Sequence, residues 1–278
     1  MENAIALGTF DGVHLGHKAV LSLPDNCRKI AVTFKKPPKS VLGRETSLIT
    51  NFEAKKKILE NIGIEKIDVL DFEAIKDMSP IEFLEFLYSK YHPVLISCGF
   101  NYKFGKNASG NVDTLAQFCK EKGIILECKE PISFGGSVVS STAIREMIKN
   151  GEIEKANELL SYPFSFEATV LGGDKRGRTI GFPTINQKYP AELVVPKFGV
   201  YKTKTVIENK LYESITYIGN RPSFASEYII SETNILDFSG DLYGKEIKII
   251  LIKFLREELK FSSVEELKNQ INRDLGRN

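Results

Sequence analysis

Two hydropathy patterns divide the chain. From residue 3 to about residue 160, apolar runs alternate with segments of helical spacing. NAIALG opens the series and reads as a strand, as do KIAVTF (29–34), IDVLDF (67–72), PVLISCGF (93–100) and IILECKE. PVLISCGF is a continuous apolar run, as in a strand covered on both faces. Helical spacing returns in TNFEAKKKILENIG, where Thr50 and Glu53 are placed as a capping box and Gly63 as a stop. It returns in SPIEFLEFLYSKY, with Ser79 as cap, Pro80 in the first turn and Glu82 closing the box. VDTLAQFCKEKG and the long SSTAIREMIKNGEIEKANELLS also read as helical. This alternation predicts a parallel sheet with helices on its faces. Ligands of such sheets bind beyond the carboxyl ends of the strands.

From about Phe164 the pattern changes. Short apolar runs broken by Gly, Pro and Asn follow one another: FSFEATVLGG, GVYKTKTVI, KLYESITYIG, EYIISETNILDF and KEIKIILIKFL. They predict an antiparallel barrel or sandwich. Helical spacing reappears in SSVEELKNQINRDL, where Ser262 and Glu265 are spaced as a further capping box. The expected division is therefore 1–160 and 161–278, with the boundary near LLSYPF.

The length of 278 residues suits two domains of roughly 150 residues each. With 42% hydrophobic and 27% charged residues, each half can bury a core. A net charge of +2 gives no electrostatic reason to expect nucleic acid or an anionic membrane as partner. The amino terminus lacks a basic segment followed by a long apolar run, and no run approaches a membrane span. Neither a signal peptide nor a membrane segment is expected. Cys27, Cys98, Cys119 and Cys128 form no C-x-x-C pair. Reduced thiols of a cytoplasmic protein are the expectation rather than zinc. Nothing in the sequence sets an oligomeric state.

Two of the three histidines stand together in GTFDGVHLGHKAVL, between the first strand and a helix. His14 and His17 are three apart and share one face of a first helical turn. Gly12 and Gly16 permit close backbone approach to a ligand. Imidazoles beside helix N–H groups can donate to a phosphate in transition. A metal-binding pair or a plain capped turn is the simpler alternative. The whole string G-x-F-D-G-x-H-x-G-H, directly after a strand, points to phosphate chemistry. In SSTAIRE (140–146), Ser141 and Thr142 open a helix and Arg145 follows one turn later. Hydroxyls, free N–H groups and a guanidinium make a clamp for pyrophosphate.

The second half carries GGDKRGRTIGFPTINQ (172–187). Its basic, glycine-rich loop could close on phosphates, although it lacks the Walker A spacing. Thr184 and Asn186 are two apart, so on a strand they face the same way. Their oxygens suit Mg²⁺. A surface turn with a solvated basic edge is the alternative. For Glu232 in ETNILDF, a strand-end salt bridge is the alternative to catalysis.

The histidine string resembles the nucleotidyltransferases whose first strand ends in an H-x-G-H turn. In its extended form it resembles the adenylyltransferase half of the bacterial bifunctional FAD synthetases. GFNYKFGK (99–106) and SSTAIRE fit the same half. The later loop resembles the flavokinase signature G-D-x-R-G-R-x-x-G-F-P-T-x-N, with Lys at 175. PKFGVY (196–201), YIGNRPSF (217–224), ETNILDFSGDLYG (232–244) and FLREELKFSSVEEL (254–267) continue the match in order.

The resemblance implies a Rossmann-like nucleotidyltransferase domain followed by an antiparallel flavokinase barrel with a terminal helix. It implies phosphorylation of riboflavin to FMN, then adenylylation of FMN to FAD, with ATP consumed at both sites and Mg²⁺ required. Glu232 would be the base of the kinase reaction, and His14 and His17 would stabilise charge in adenylyl transfer. Gly8, Phe10, Asp11, Gly16, Asn101, Ser141, Thr142 and Arg145 would bind the adenylylating ATP. Gly173, Lys175, Gly177, Arg178, Thr184 and Asn186 would bind the phosphorylating ATP, with Thr184 and Asn186 on Mg²⁺. Arg256 would contact the flavin. The chain departs from the family in TFKKPP, where T-F-x-P-H-P is usual, in the short KAVLSLPDNCRK and in LLSYPF. A flavin-binding regulatory protein is a rival reading, opposed by the intact histidine pair. A cytidylyltransferase-like enzyme fused to a barrel is another, opposed by the order GFPTIN…ETNILDF.

Overall fold

Alternation in the first half builds a five-stranded parallel sheet: β1 (Asn3–Leu7), β2 (Arg28–Thr33), β3 (Lys66–Val69), β4 (Pro93–Gly99) and β5 (Ile125–Lys129), in the order β3-β2-β1-β4-β5. The computed structural model describes residues 1–38, 47–172, 184–221, 228–259, 261–274 and 276. Its contacts separate two compact units, Met1–Ala143 and Ile144–Asn278. The sheet belongs to the first. Strand order reverses between β1 and β4, so a crevice opens where these two neighbours end.

Successive side chains of β1 point to opposite faces. Ile5 and Leu7 join Ile30, Val32, Ile96 and Cys98 in one buried cluster with α4 (Pro80–Tyr91) and α5 (Val112–Lys122). Ala4, Ala6 and Ala31 face the other way, against Val20 and Leu21 of α1 (Leu15–Leu21) and Leu59 of α2 (Phe52–Asn61). Small side chains on that face let a helix of just seven residues lie close to the sheet.

Local chemistry shifts several boundaries from those expected. The cap of α2 is Asn51, whose side chain accepts from Ala54 N–H at 2.8 Å, and not Thr50. The Thr50 hydroxyl is taken by the Gly12 N–H at 3.2 Å, so no Thr50–Glu53 box forms. The third strand stops at Val69 because Asp71 caps the one-turn α3 (Phe72–Ile75). The Ser79–Glu82 box on α4 forms with both its hydrogen bonds. The long helical stretch breaks into α6 (Ser141–Lys149) and α7 (Ile153–Leu160) at Gly151, which adopts φ +80°.

The second unit holds a closed antiparallel barrel of β8 (Ser165–Leu171), β9 (Thr184–Lys188), β10 (Gly199–Ile207), β11 (Lys210–Arg221), β12 (Tyr228–Ile235) and β13 (Glu246–Arg256). A two-stranded hairpin, β6 (Ser133–Phe134) with β7 (Ser137–Val138), precedes it in the first unit. The barrel order is β10-β11-β12-β9-β8-β13. Its buried face is partly polar. Hydroxyls of Thr205, Ser214, Thr203, Thr216 and Thr233 form one chain with 2.9 Å links, each residue at most 2% exposed. Mutual pairing is what makes such burial tolerable. Asn157 fastens α7 to the barrel, donating to the Leu251 carbonyl at 3.0 Å and accepting from Phe164 N–H at 2.7 Å. The terminal helix α8 (Val264–Asp274) starts one residue later than the expected box: Ser263 accepts from Glu266 N–H, and Glu266 reaches back to Ser262 N–H.

Barrel closure between β10 and β13 runs past Gly199, at φ +147°. A Cβ there would collide with the Arg256 carbonyl and stand 2.8 Å from the Phe254 ring. We predict that Gly199→Ala destabilises the barrel by about 1–3 kcal/mol, the usual range for overpacking. Calorimetry of the full chain should show one transition moved down in temperature, and an unaltered thermogram would contradict this.

Candidate active sites

In the first unit, β1 runs into a turn whose conformation is costly for ordinary residues. Phe10 and Val13 have φ of 50° and 35°, and both are fully buried. Such backbone persists when its surroundings over-determine it. Here they do. Asp11, 3% exposed, accepts from the N–H groups of Ile49 and Thr50 at 3.0 and 3.3 Å. Thr50 in turn holds Gly12, and the Ser141 hydroxyl donates to the Asp11 carbonyl at 2.9 Å. Asp11 and Ser141 are thus parts of one scaffold.

The turn presents the histidines to the end of the sheet. His14 caps α1, its Nδ1 accepting from His17 N–H at 3.3 Å. The rings stack with centroids 3.7 Å apart and planes 17° from parallel, and the Phe10 ring meets His17 edge-on at 5.5 Å. A Cβ on Gly16 would press on the His14 ring at 3.2 Å. Since Nδ1 of neutral His14 accepts, its proton resides on Nε2. Gly8 donates to the Val32 carbonyl at 3.3 Å, tying the turn to β2. Asn101 follows β4, the strand beside β1 at the crevice. Thr142 lies in the first turn of α6, with Ser140 accepting from Ala143 N–H at 3.2 Å, and Arg145 stands three residues further along.

In the barrel, strand register assembles the second set. Glu232 pairs with Asn186 on one side and with Tyr217 on the other. Asn234, two residues on, pairs with Thr184. Thr184, Asn186, Glu232, Asn234 and Tyr217 therefore share one face, opposite to the buried hydroxyl chain. Burial pushes the Tyr217 hydroxyl up to about 12, reinforced by its hydrogen bond to Glu258, so it remains a donor. Its phenol lies over Gly219, where a Cβ would collide with it. Thr184 and Asn186 offer a hydroxyl and an amide oxygen beside a carboxylate, a donor set that fits Mg²⁺. Gly173, Lys175, Gly177 and Arg178 lie outside the described residues.

Arg256 is engaged within the protein. Its Nε and a terminal nitrogen meet Asp274 at 3.0 and 2.6 Å, and Phe261 lies 5.9 Å beneath the guanidinium. This fork pins the end of α8 to β13. A groove of about 460 Å³ opens beside it, lined by Leu259, Phe261, Asn269, Gln270 and neighbouring polar residues. Sequence reasoning missed Tyr217, Asn234 and Glu258. Tyr217 and Asn234 emerge from pairing register, and Glu258 from a tertiary contact.

A sheet that ends in a glycine-rich histidine turn, joined in one chain to a barrel bearing a carboxylate between hydroxyl and amide oxygens, fits a two-site nucleotide-dependent transferase. Residues 1–143 match the FAD synthetase family model, and residues 160–278 match the riboflavin kinase model. The bifunctional riboflavin kinase/FMN adenylyltransferases of Listeria monocytogenes and Bacillus subtilis are each 34% identical to this chain. They cover 99% and 98% of it, and in both cases 90% of the relative is matched. A crystal structure described as a macrolide-efflux protein from Streptococcus pneumoniae superposes with a TM-score of 0.91 at 27% identity, over 99% of this chain and 93% of that one. The chain belongs to the bifunctional riboflavin kinase/FMN adenylyltransferase family.

The His14 geometry has a spectroscopic consequence. With three histidines in the chain, nitrogen-detected imidazole spectra should resolve each ring. We predict the Nε2–H tautomer for neutral His14, and an Nδ1–H signal would contradict the cap.

Proposed function

We propose that this chain phosphorylates riboflavin in its barrel (161–278) and adenylylates the resulting FMN in its amino-terminal domain (1–160). Both steps use ATP. The register that sets Glu232 between Asn186 and Tyr217 is the observation that carries the reading. In the kinase step Glu232 takes the proton of the primary ribityl hydroxyl while that oxygen bonds to the γ-phosphorus and ADP leaves. Thr184 and Asn186 would hold the Mg²⁺ that arrives with ATP, which neutralises phosphate charge. The groove at α8, whose Phe261 and amide side chains suit a flavin ring, would take the flavin. Arg256 then serves the flavin by shaping that groove through Asp274.

In the second step an FMN phosphate oxygen bonds to the α-phosphorus and pyrophosphate leaves. His14, through Nε2–H, and His17 donate to the charge that develops on the phosphoryl oxygens. Gly8, Phe10, Asp11, Gly16 and Asn101 would serve in binding the nucleotide, and Ser141, Thr142 and Arg145 in holding the leaving pyrophosphate. Reaction partners are small molecules. Four free cysteines fit a reducing, cytoplasmic setting. Among the described residues no helix is long and apolar enough to cross a membrane.

Crossed variants test the assignment. Glu232→Gln keeps size and polarity but cannot accept the proton, so riboflavin phosphorylation should fall by roughly 10²–10⁴, while FAD still forms from supplied FMN. His17→Ala should lower FAD formation by about 10²–10³ and spare phosphorylation. Equal loss of both activities in either variant would contradict separate sites.

A further inference from the structure

Among the described residues, Lys55 is the one buried lysine, 4% exposed. It sits on α2, in the run KKK that gives no sign of its burial. Its ammonium donates to the Phe34 carbonyl at 2.6 Å, to the Thr9 carbonyl at 3.1 Å and to the Thr33 hydroxyl at 3.5 Å. The Thr33 hydroxyl itself donates to the Thr9 carbonyl at 3.0 Å. Thr9 is the second residue beyond β1 and Phe34 the first beyond β2. A side chain this rarely buried therefore binds two strand ends at the point where the histidine turn begins.

We propose that Lys55 is a positioning residue for adenylyl transfer: it draws the carbonyls of Thr9 and Phe34 together and so fixes the histidine turn against β2. This rests on the assignment of adenylyl transfer to that turn. Three acceptors match the three donors of an ammonium. A neutral amine has two donors and a lone pair, which would confront one of these oxygens. Among the described residues, the charged group acting on Lys55 is Asp11, which ties the same turn to Ile49 and Thr50. Among the described residues, Thr9, Thr33, Phe34 and the Phe52 ring, 5.6 Å away, also lie against it, and none of these titrates. Burial brings Lys55 down to about 8 from its ordinary 10.5, against the pull of Asp11.

The two consequences of that shift have opposite slopes. Between pH 8 and 10.5 the unfolded chain binds the proton that the folded one has released. Lys55 therefore contributes stability that rises with pH over this window. The clamp weakens over the same window, so FAD formation should fall there. A purely structural lysine would not produce both.

The test uses the full chain, with both reactions measured on one preparation from neutral pH to beyond the Lys55 value. In the wild type, the ratio of FAD formation from FMN to riboflavin phosphorylation should decline as pH passes about 8. Lys55→Met should lower kcat for FAD formation by about 10²-fold, as misplacement of a reacting group can, with little change in KM for ATP and without the alkaline decline. Lys55→Arg, whose guanidinium stays charged, should keep its activity past the pH at which the wild type declines. Wild-type kcat in Lys55→Met would overturn the proposal. A ratio that stays flat in the wild type would do the same, and it decides the matter if Lys55→Met fails to fold. A wild type that makes no FAD at any pH would instead remove the adenylyl-transfer reading itself.

Discussion

The amino-terminal site depends on one buried carboxylate. Asp11 lies within the turn after β1, yet its side chain accepts from N–H groups nearly forty residues away, at Ile49 and Thr50. A buried charge is tolerated when it is paired and hydrogen-bonded, and each of its partners is thereby fixed to the turn. Thr50 returns the bond to Gly12, and Ser141 adds one at the Asp11 carbonyl. The positive φ values at Phe10, Gly12 and Val13 become affordable in this frame. They orient α1 so that His14 caps it and His17 stacks above His14. Packing follows the same demand: alanines on the α1 face of the sheet let so short a helix approach.

The barrel solves its problem by register. A slip of one residue would send Glu232 to the buried face and Thr233 outward. The hydroxyl chain opposes such a slip, because Thr216 must meet Thr233 and Ser214 must meet Thr203 across three strands. Polar pairing on the buried face thus specifies which residues appear on the face that carries Glu232. Gly219 adds a steric condition, since only the absence of a side chain leaves room for the Tyr217 phenol.

Much of this was legible in the sequence. Apolar runs located every strand of the parallel sheet, and turn signals marked the change to a barrel. The histidine turn and Glu232 were singled out by glycine spacing and residue type, and the structure places them at the start of α1 and on β12. Caps were legible where they were local, as at Ser79. They were misread where a tertiary partner competed, as when Gly12 claimed Thr50 and left Asn51 to cap α2. Lys55 was hidden among three consecutive lysines, and nothing in that run distinguishes the buried one. Arg256 adds a further case: its pairing with Asp274, eighteen residues on, leaves no mark in FLREELKF. Residues whose partners lie far along the chain were the ones that spacing could not assign.

Two chemistries on one chain amount to a sequence of reactions, in which the product of the barrel is the substrate of the sheet. The most direct test incubates the purified protein with riboflavin, ATP and Mg²⁺ and separates the flavins by chromatography over time. The account predicts that FMN appears first and FAD follows at its expense. Riboflavin left unconverted, or FMN accumulating with no FAD even when ATP is in excess, would contradict it.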